Sequence, residues 1–112
     1  MTTIFGKIIR GEIACDKVFE NDYVFAFKDI SPQAPVHILI VPKKEIPDLQ
    51  SLHREDWRFL SEIVACAQHL AKELSLENGY RLVTNNGPEA GQSVSHLHFH
   101  LIGGKRLSDT LG

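Results

Sequence analysis

Ile4, Phe5, Ile8 and Ile9 fall at the three- and four-residue spacings of a short amphipathic helix, which Gly11 closes. Lys17 to Glu20 and Tyr23 to Lys28 read as two short strands around Asn21 and Asp22, a pair suited to a hairpin turn. Asp29 to Pro35 is a loop, because Pro32 and Pro35 exclude both a regular helix and a central strand. Val36 to Val41 is an apolar strand carrying His37, and Pro42 ends it. From Glu55 to Leu74, the positions Trp57, Leu60, Val64, Ala67, Ala71 and Leu74 form one stripe on a long helix, predicting a buried face there. Asn78 and Gly79 stop that helix, and Tyr80 to Thr84 is a further strand. The last pattern is strict alternation: His96, Leu97, His98, Phe99, His100, Leu101, Ile102 and then Gly103 and Gly104. Read with period two, it is a strand with all three imidazoles on one face and Leu97, Phe99 and Leu101 turned to the core. The order helix, three strands, helix, two strands predicts an α+β domain with a largely antiparallel sheet and a helix over one face.

Composition narrows the reading without redirecting it. The 112 residues suit one domain spanning 1–112, with 43% apolar and 23% charged residues, an ordinary globular balance. A net charge of −2 does not suit a protein built to hold duplex nucleic acid. The first ten residues carry Lys7 and Arg10 but no long apolar core, so they do not read as a signal peptide, and no run approaches membrane-spanning length. Cys15 and Cys66 stand far apart, as expected of two free thiols in a reducing, cytoplasmic compartment.

The alternating histidines are what changes the picture. A neutral imidazole has one N–H and one lone pair, so once an acceptor holds the N–H, the other nitrogen is a nucleophile, base or ligand. Upstream, Gly91, Gln92, Ser93 and Val94 place backbone N–H groups and a hydroxyl where they could take the oxygens of a phosphate. Together these point to phosphoryl chemistry. Zinc binding is the competing reading, since alternating histidines can also supply metal ligands, although neither thiol has a partner at ligand spacing. His37 by itself reads as a half-buried strand residue, Asp29 as a turn-former, and His53 and His69 as solvent-facing.

The segment His96 to Ile102 matches the His-apolar-His-apolar-His-apolar-apolar motif of the histidine triad (HIT) family. Three more stretches agree in order: Thr3 to Arg10, Asp29 to Pro35 with His37 after it, and Gly91 to Val94 leading into the triad. The chain therefore resembles the histidine triad nucleotide-binding, purine nucleoside phosphoramidase branch from about Thr3 to Gly104. The resemblance implies a five-stranded, mainly antiparallel sheet with one long and one short helix, and a homodimer whose sheets join into ten continuous strands. It implies that His98 attacks the α-phosphorus of a nucleoside phosphoramidate or acyl nucleotide. A covalent nucleotidyl-histidine would form, and water would release AMP or GMP. His100 and Ser93 would bind phosphate oxygens, His96 would help move a proton to the leaving group, and His37 would hydrogen-bond His96. The purine pocket would draw on Ile4, Phe5, Ile8, Phe27 and Ile30, with Asp29 on the ribose and Asn85, Gln92 and Val94 beside the phosphate.

No cofactor, metal, nucleic-acid or membrane partner is implied. Zinc-holding relatives have a CxxC pair and a following histidine where this chain has Thr3, Gly6 and Glu45. His100 stands where the transferase branch has glutamine, which favours hydrolysis. Ala90, Ser95 and the short tail from Lys105 depart from common family patterns on the leaving-group side. A dinucleoside polyphosphate hydrolase and a non-catalytic nucleotide-binding dimer are the alternative functions.

Overall fold

The computed structural model describes residues 3–111; residues 1, 2 and 112 of the expected domain lie outside it. In chain order the elements are α1 (Ile4–Ile9), β1 (Lys17–Glu20), β2 (Val24–Lys28), β3 (Val36–Pro42), α2 (Trp57–Glu73), β4 (Tyr80–Val83) and β5 (Phe99–Gly103). The strands form one five-stranded sheet in the order β1-β2-β3-β5-β4, with every neighbouring pair antiparallel. This is the predicted α+β arrangement.

Local chemistry explains the turns. Asn21 Oδ1 accepts the N–H groups of Tyr23 (2.8 Å) and Val24 (2.9 Å), so its side chain closes the β1–β2 hairpin. Thr3 caps α1, its Oγ1 accepting the Gly6 N–H at 3.0 Å. A helix of six residues is too short to persist alone, so this cap and the burial of Phe5 and Ile8 hold it in place.

The sheet separates two apolar clusters. On one face, Val24 and Ala26 of β2, Ile38 and Ile40 of β3 and Leu101 of β5 pack under Ile63, Cys66, Ala67 and Leu70 of α2. On the other, Phe25 and Phe27 of β2 and Leu39 and Val41 of β3 pack with Phe5 and Ile8 of α1. Period two in β2 and β3 produces this division directly.

Two expectations need correction. The helix stripe of Trp57, Leu60, Val64, Ala67, Ala71 and Leu74 is not one buried face: Trp57 is 57% exposed, Val64 44% and Leu74 42%. The sheet takes a neighbouring face, Ile63, Cys66, Ala67, Leu70 and Ala71, so α2 carries a second apolar face directed outward. The strand over the histidine motif is also shorter than the alternation predicts. β5 begins at Phe99, and His96 to His98 approach it as irregular backbone. Tertiary bonds to the histidine rings, described next, override the strand geometry there.

Candidate active site

The sheet face opposite α2 carries the histidines. Leu39 pairs with His100 and His37 with Ile102, and residues paired across strands share a face, so His37 and His100 are diagonal neighbours. His98 enters the same cluster from the loop before β5, its ring 5.3 Å from that of His100, centroid to centroid. The Phe5 ring meets His98 edge-on at 4.9 Å. His37 (6%), His96 (0%) and His98 (7%) are buried, and His100 is half-buried.

The protons of His98, His37 and His96 are placed by backbone groups that can play only one role, and that of His100 follows from His37. His98 Nδ1 lies 2.7 Å from the His96 carbonyl oxygen, an acceptor only, so Nδ1–H donates and Nε2 keeps its lone pair. The Gln33 backbone N–H donates to His37 Nδ1 at 3.0 Å, which leaves His37 Nε2 protonated. That Nε2–H donates to His100 Nδ1 at 2.9 Å, with Asp29 Oδ2 at 3.4 Å from the same nitrogen. His100 therefore carries its proton on Nε2. The cluster presents one ring nitrogen with a lone pair, on His98, and one with a hydrogen, on His100.

His96 is closed on both sides. Its Nε2–H donates to the Pro42 carbonyl at 2.9 Å, and its Nδ1 accepts from the Thr3 hydroxyl at 2.8 Å. Burial is the main cause that pushes its pKa below the ordinary imidazole value, against the Pro42 carbonyl and the nearby Glu45 carboxylate. Burial also lowers that of His100, helped by His98 and His37. Both rings are thereby favoured as neutral.

Several expected roles change accordingly. His96 is not placed to pass a proton to a leaving group, because both its nitrogens are engaged by the protein. His37 bonds His100 and not His96, since the antiparallel register sets it diagonal to His100. Gln92 is committed to building the loop. Its Oε1 accepts the Gly87 N–H at 2.8 Å, and its Nε2 donates to the carbonyls of Pro47 (2.8 Å) and Val94 (3.0 Å). Gly91, at φ +88°, provides the left-handed turn that brings this loop round.

The remaining expected residues divide into two groups. Phe5, Ile8 and Phe27 are buried together with Val94 packed on them, next to the His98 ring. Ile4 is half open and Ile30 98% exposed, and Ser93 is exposed, so these are free of the core. Asp29 is turned inward, its Oδ1 accepting the Ser31 N–H at 2.8 Å. Asn85 is half-buried just beyond β4, next to Thr84. Thr84 is a residue that sequence reasoning missed: its hydroxyl donates to the His98 carbonyl at 2.7 Å and anchors the backbone of that histidine. No spacing in the chain signals this contact, which depends on β4 lying beside β5.

Asp29, His37 and His100 each offer a ligand atom, all within 4.8 Å of one another. A cation on His37 Nε2 needs the ring proton moved to Nδ1, where the Gln33 N–H already points, and two donors would then face each other. The donor set suits a hydrogen-bond chain better than a metal. Thiol chemistry has no foothold at Cys66 either, since burial pushes its pKa up to about 12.

Residues 10–107 match the HIT domain model. The chain belongs to the HIT family. It is 55% identical over 107 residues to a HIT-like protein of Chlamydia muridarum, covering 96% of this chain and 85% of that one. The structure of a HIT family hydrolase from Legionella pneumophila Philadelphia 1 superposes with a TM-score of 0.94 at 44% identity, over 97% of this chain and 98% of that one. A histidine triad nucleotide-binding protein from Candida albicans superposes at 0.81 with 33% identity, over 99% and 87% respectively. This HIT protein is thus of a hydrolase kind in sequence and fold. Among the described residues no helix is long and apolar enough to cross a membrane.

Proposed function

We propose that this HIT protein is a purine nucleoside phosphoramidase and nucleotidyl hydrolase that works without a metal. One observation carries the reading: the His96 carbonyl holds His98 Nδ1–H, leaving Nε2 with a lone pair uncommitted among the described residues, on a ring 5.3 Å, centroid to centroid, from that of His100, whose hydrogen is on Nε2. A phosphate seated there would receive a hydrogen bond from His100 on an equatorial oxygen while His98 Nε2 faces phosphorus. Attack forms a P–N bond to His98 and breaks the bond to the departing amine, which takes a proton from water. A second water then cleaves the P–N bond, and the proton it gives up neutralises the hydroxide left by the first, returning free His98 and the nucleoside monophosphate. Two modest displacements replace one difficult one.

The apolar wall of Phe5, Ile8 and Phe27 beside His98 suits a purine, and the Asp29 carboxylate beside His37 is an acceptor of the kind that ribose hydroxyls take. The nucleotide-binding name of the Candida albicans neighbour supports the same ligand class. Stacking on apolar walls discriminates weakly, so adenine and guanine substrates should differ little. The outward apolar face of α2, with Trp57 and Val64, and the open edge of β4 suit a second copy, giving a homodimer with a ten-stranded sheet.

Side-by-side assay of an adenosine phosphoramidate and a diadenosine polyphosphate, with and without a chelator, tests the reading. Faster, chelator-resistant release of AMP from the phosphoramidate is expected. Preference for the polyphosphate would move the assignment to the dinucleoside hydrolases, and AMP binding without turnover of either would leave a binding protein.

A further inference from the structure

Thr3 is bonded in a way that capping does not require. Its hydroxyl accepts the Gly6 N–H at 3.0 Å, which is the cap, but its own hydrogen goes to His96 Nδ1 at 2.8 Å. Its backbone N–H is held by Glu45 Oε1 at 3.0 Å, so the residue is fixed from three directions. From His96 the bonds continue to Pro42 through Nε2–H, and from the His96 carbonyl to His98 Nδ1–H. The start of α1 is therefore tied through one buried imidazole to the ring with the open lone pair.

We propose that Thr3 is a positioning residue: its hydroxyl locks His96 as the neutral Nε2–H tautomer and thereby holds the His96 carbonyl where it orients His98. The argument is one of donors and acceptors. Pro42 offers only a carbonyl, so Nε2 must carry the proton, and His96 Nδ1 then needs a donor in a site where the ring is fully buried. Thr3 supplies it. Without that donor, Nδ1 is left unsatisfied or takes up a proton, and a charged His96 beside His98 and Glu45 would reset the backbone carbonyl on which His98 depends. The same residue sets α1, whose Phe5 lies edge-on to the His98 ring, so the lock also registers the apolar wall against the nucleophile. The catalytic consequence rests on the phosphoramidase reading, whereas the tautomer lock does not.

Three variants of the full chain separate donation from capping. Thr3→Ser keeps both functions, Thr3→Asp keeps the cap but cannot donate to a neutral Nδ1, and Thr3→Val loses both. The probe for chemistry is an adenosine phosphoramidate, and the probe for the lock is the ¹⁵N spectrum of the histidine rings across pH. In the unsubstituted protein, His96 should show Nε2 protonated and Nδ1 accepting. Thr3→Asp and Thr3→Val should lower kcat roughly three- to tenfold with KM within about twofold, as expected for one buried hydrogen bond. In both, His96 should become protonated at higher pH, and Thr3→Ser should restore kcat and the His96 signals together. Unchanged kcat and unchanged His96 signals in Thr3→Asp would overturn the proposal, whatever happens to the melting temperature. Failure of the unsubstituted protein to turn over the phosphoramidate would remove the assigned reaction, and the ring spectra would still decide the lock.

Discussion

The two faces of the sheet are built on different principles. Under α2, Ile38, Ile40 and Leu101 meet Ile63 and Leu70 through many weak, interchangeable contacts, and each side chain contributes about 1.5–3 kcal/mol by leaving water. On the α1 face, the tautomers of His96, His98, His100 and His37 are set by a few hydrogen bonds anchored on backbone groups with only one possible role, such as the Pro42 carbonyl and the Gln33 N–H. The first face tolerates change and provides stability. The second provides direction, deciding which nitrogen carries a proton and which is open.

Substitutions should separate the two faces. The largest effect belongs to the histidine side: His98→Ala should lower phosphoramidate turnover at least about a thousandfold while AMP still binds and the melting temperature moves by only a few degrees. A loss of folding equal to the loss of turnover would mean that the two faces are not separable. Ile40→Ala addresses the other face, where a fully buried side chain leaves a cavity. Denaturant unfolding should register a loss of about 2–5 kcal/mol, with kcat of the remaining folded protein unchanged.

His37→Ala removes the donor to His100 Nδ1 and frees that ring to change tautomer. Turnover should fall roughly ten- to hundredfold, the size of one buried polar group left without its partner. A full wild-type rate would show that His100 keeps its tautomer unaided.

The smallest effect is on pH. His96 and His100 have pKa values depressed in the fold below the ordinary 6.5, so the unfolded chain binds more protons just below that value. Stability from these rings is present above about pH 6.5 and is lost as pH falls toward the folded values. The melting temperature should accordingly drop between pH 7.5 and 5.5. Core variants that leave the histidines in place, such as Ile40→Ala, should retain that slope.

The same division explains how far sequence reading carried. Alternation and spacing identified α1, the five strands and the long helix, because burial on one side imposes a period that residues such as Val24, Ala26, Ile38 and Ile40 display. The face that α2 buries was misjudged because Trp57 and Val64 are as apolar as Ile63 and Leu70, and period alone cannot say which of two apolar faces meets the sheet. At the site, the motif singled out histidines that the structure links to one another, but their bonds followed from register and loop packing. Nothing in the spacing shows that His37 lies diagonal to His100, that Gln92 staples three loop segments or that Thr84 reaches the His98 carbonyl.

The central claim is that the His96 carbonyl, by accepting from His98 Nδ1–H, leaves His98 Nε2 as the nucleophile. Rapid quench of the protein with an adenosine phosphoramidate, followed by intact-mass and peptide analysis, tests it most directly. An adenylyl adduct on His98, bonded through Nε2 and appearing before AMP is released, is the expected result. An adduct on His96 or His100, or AMP release with His98 never modified at any quench time, would contradict it.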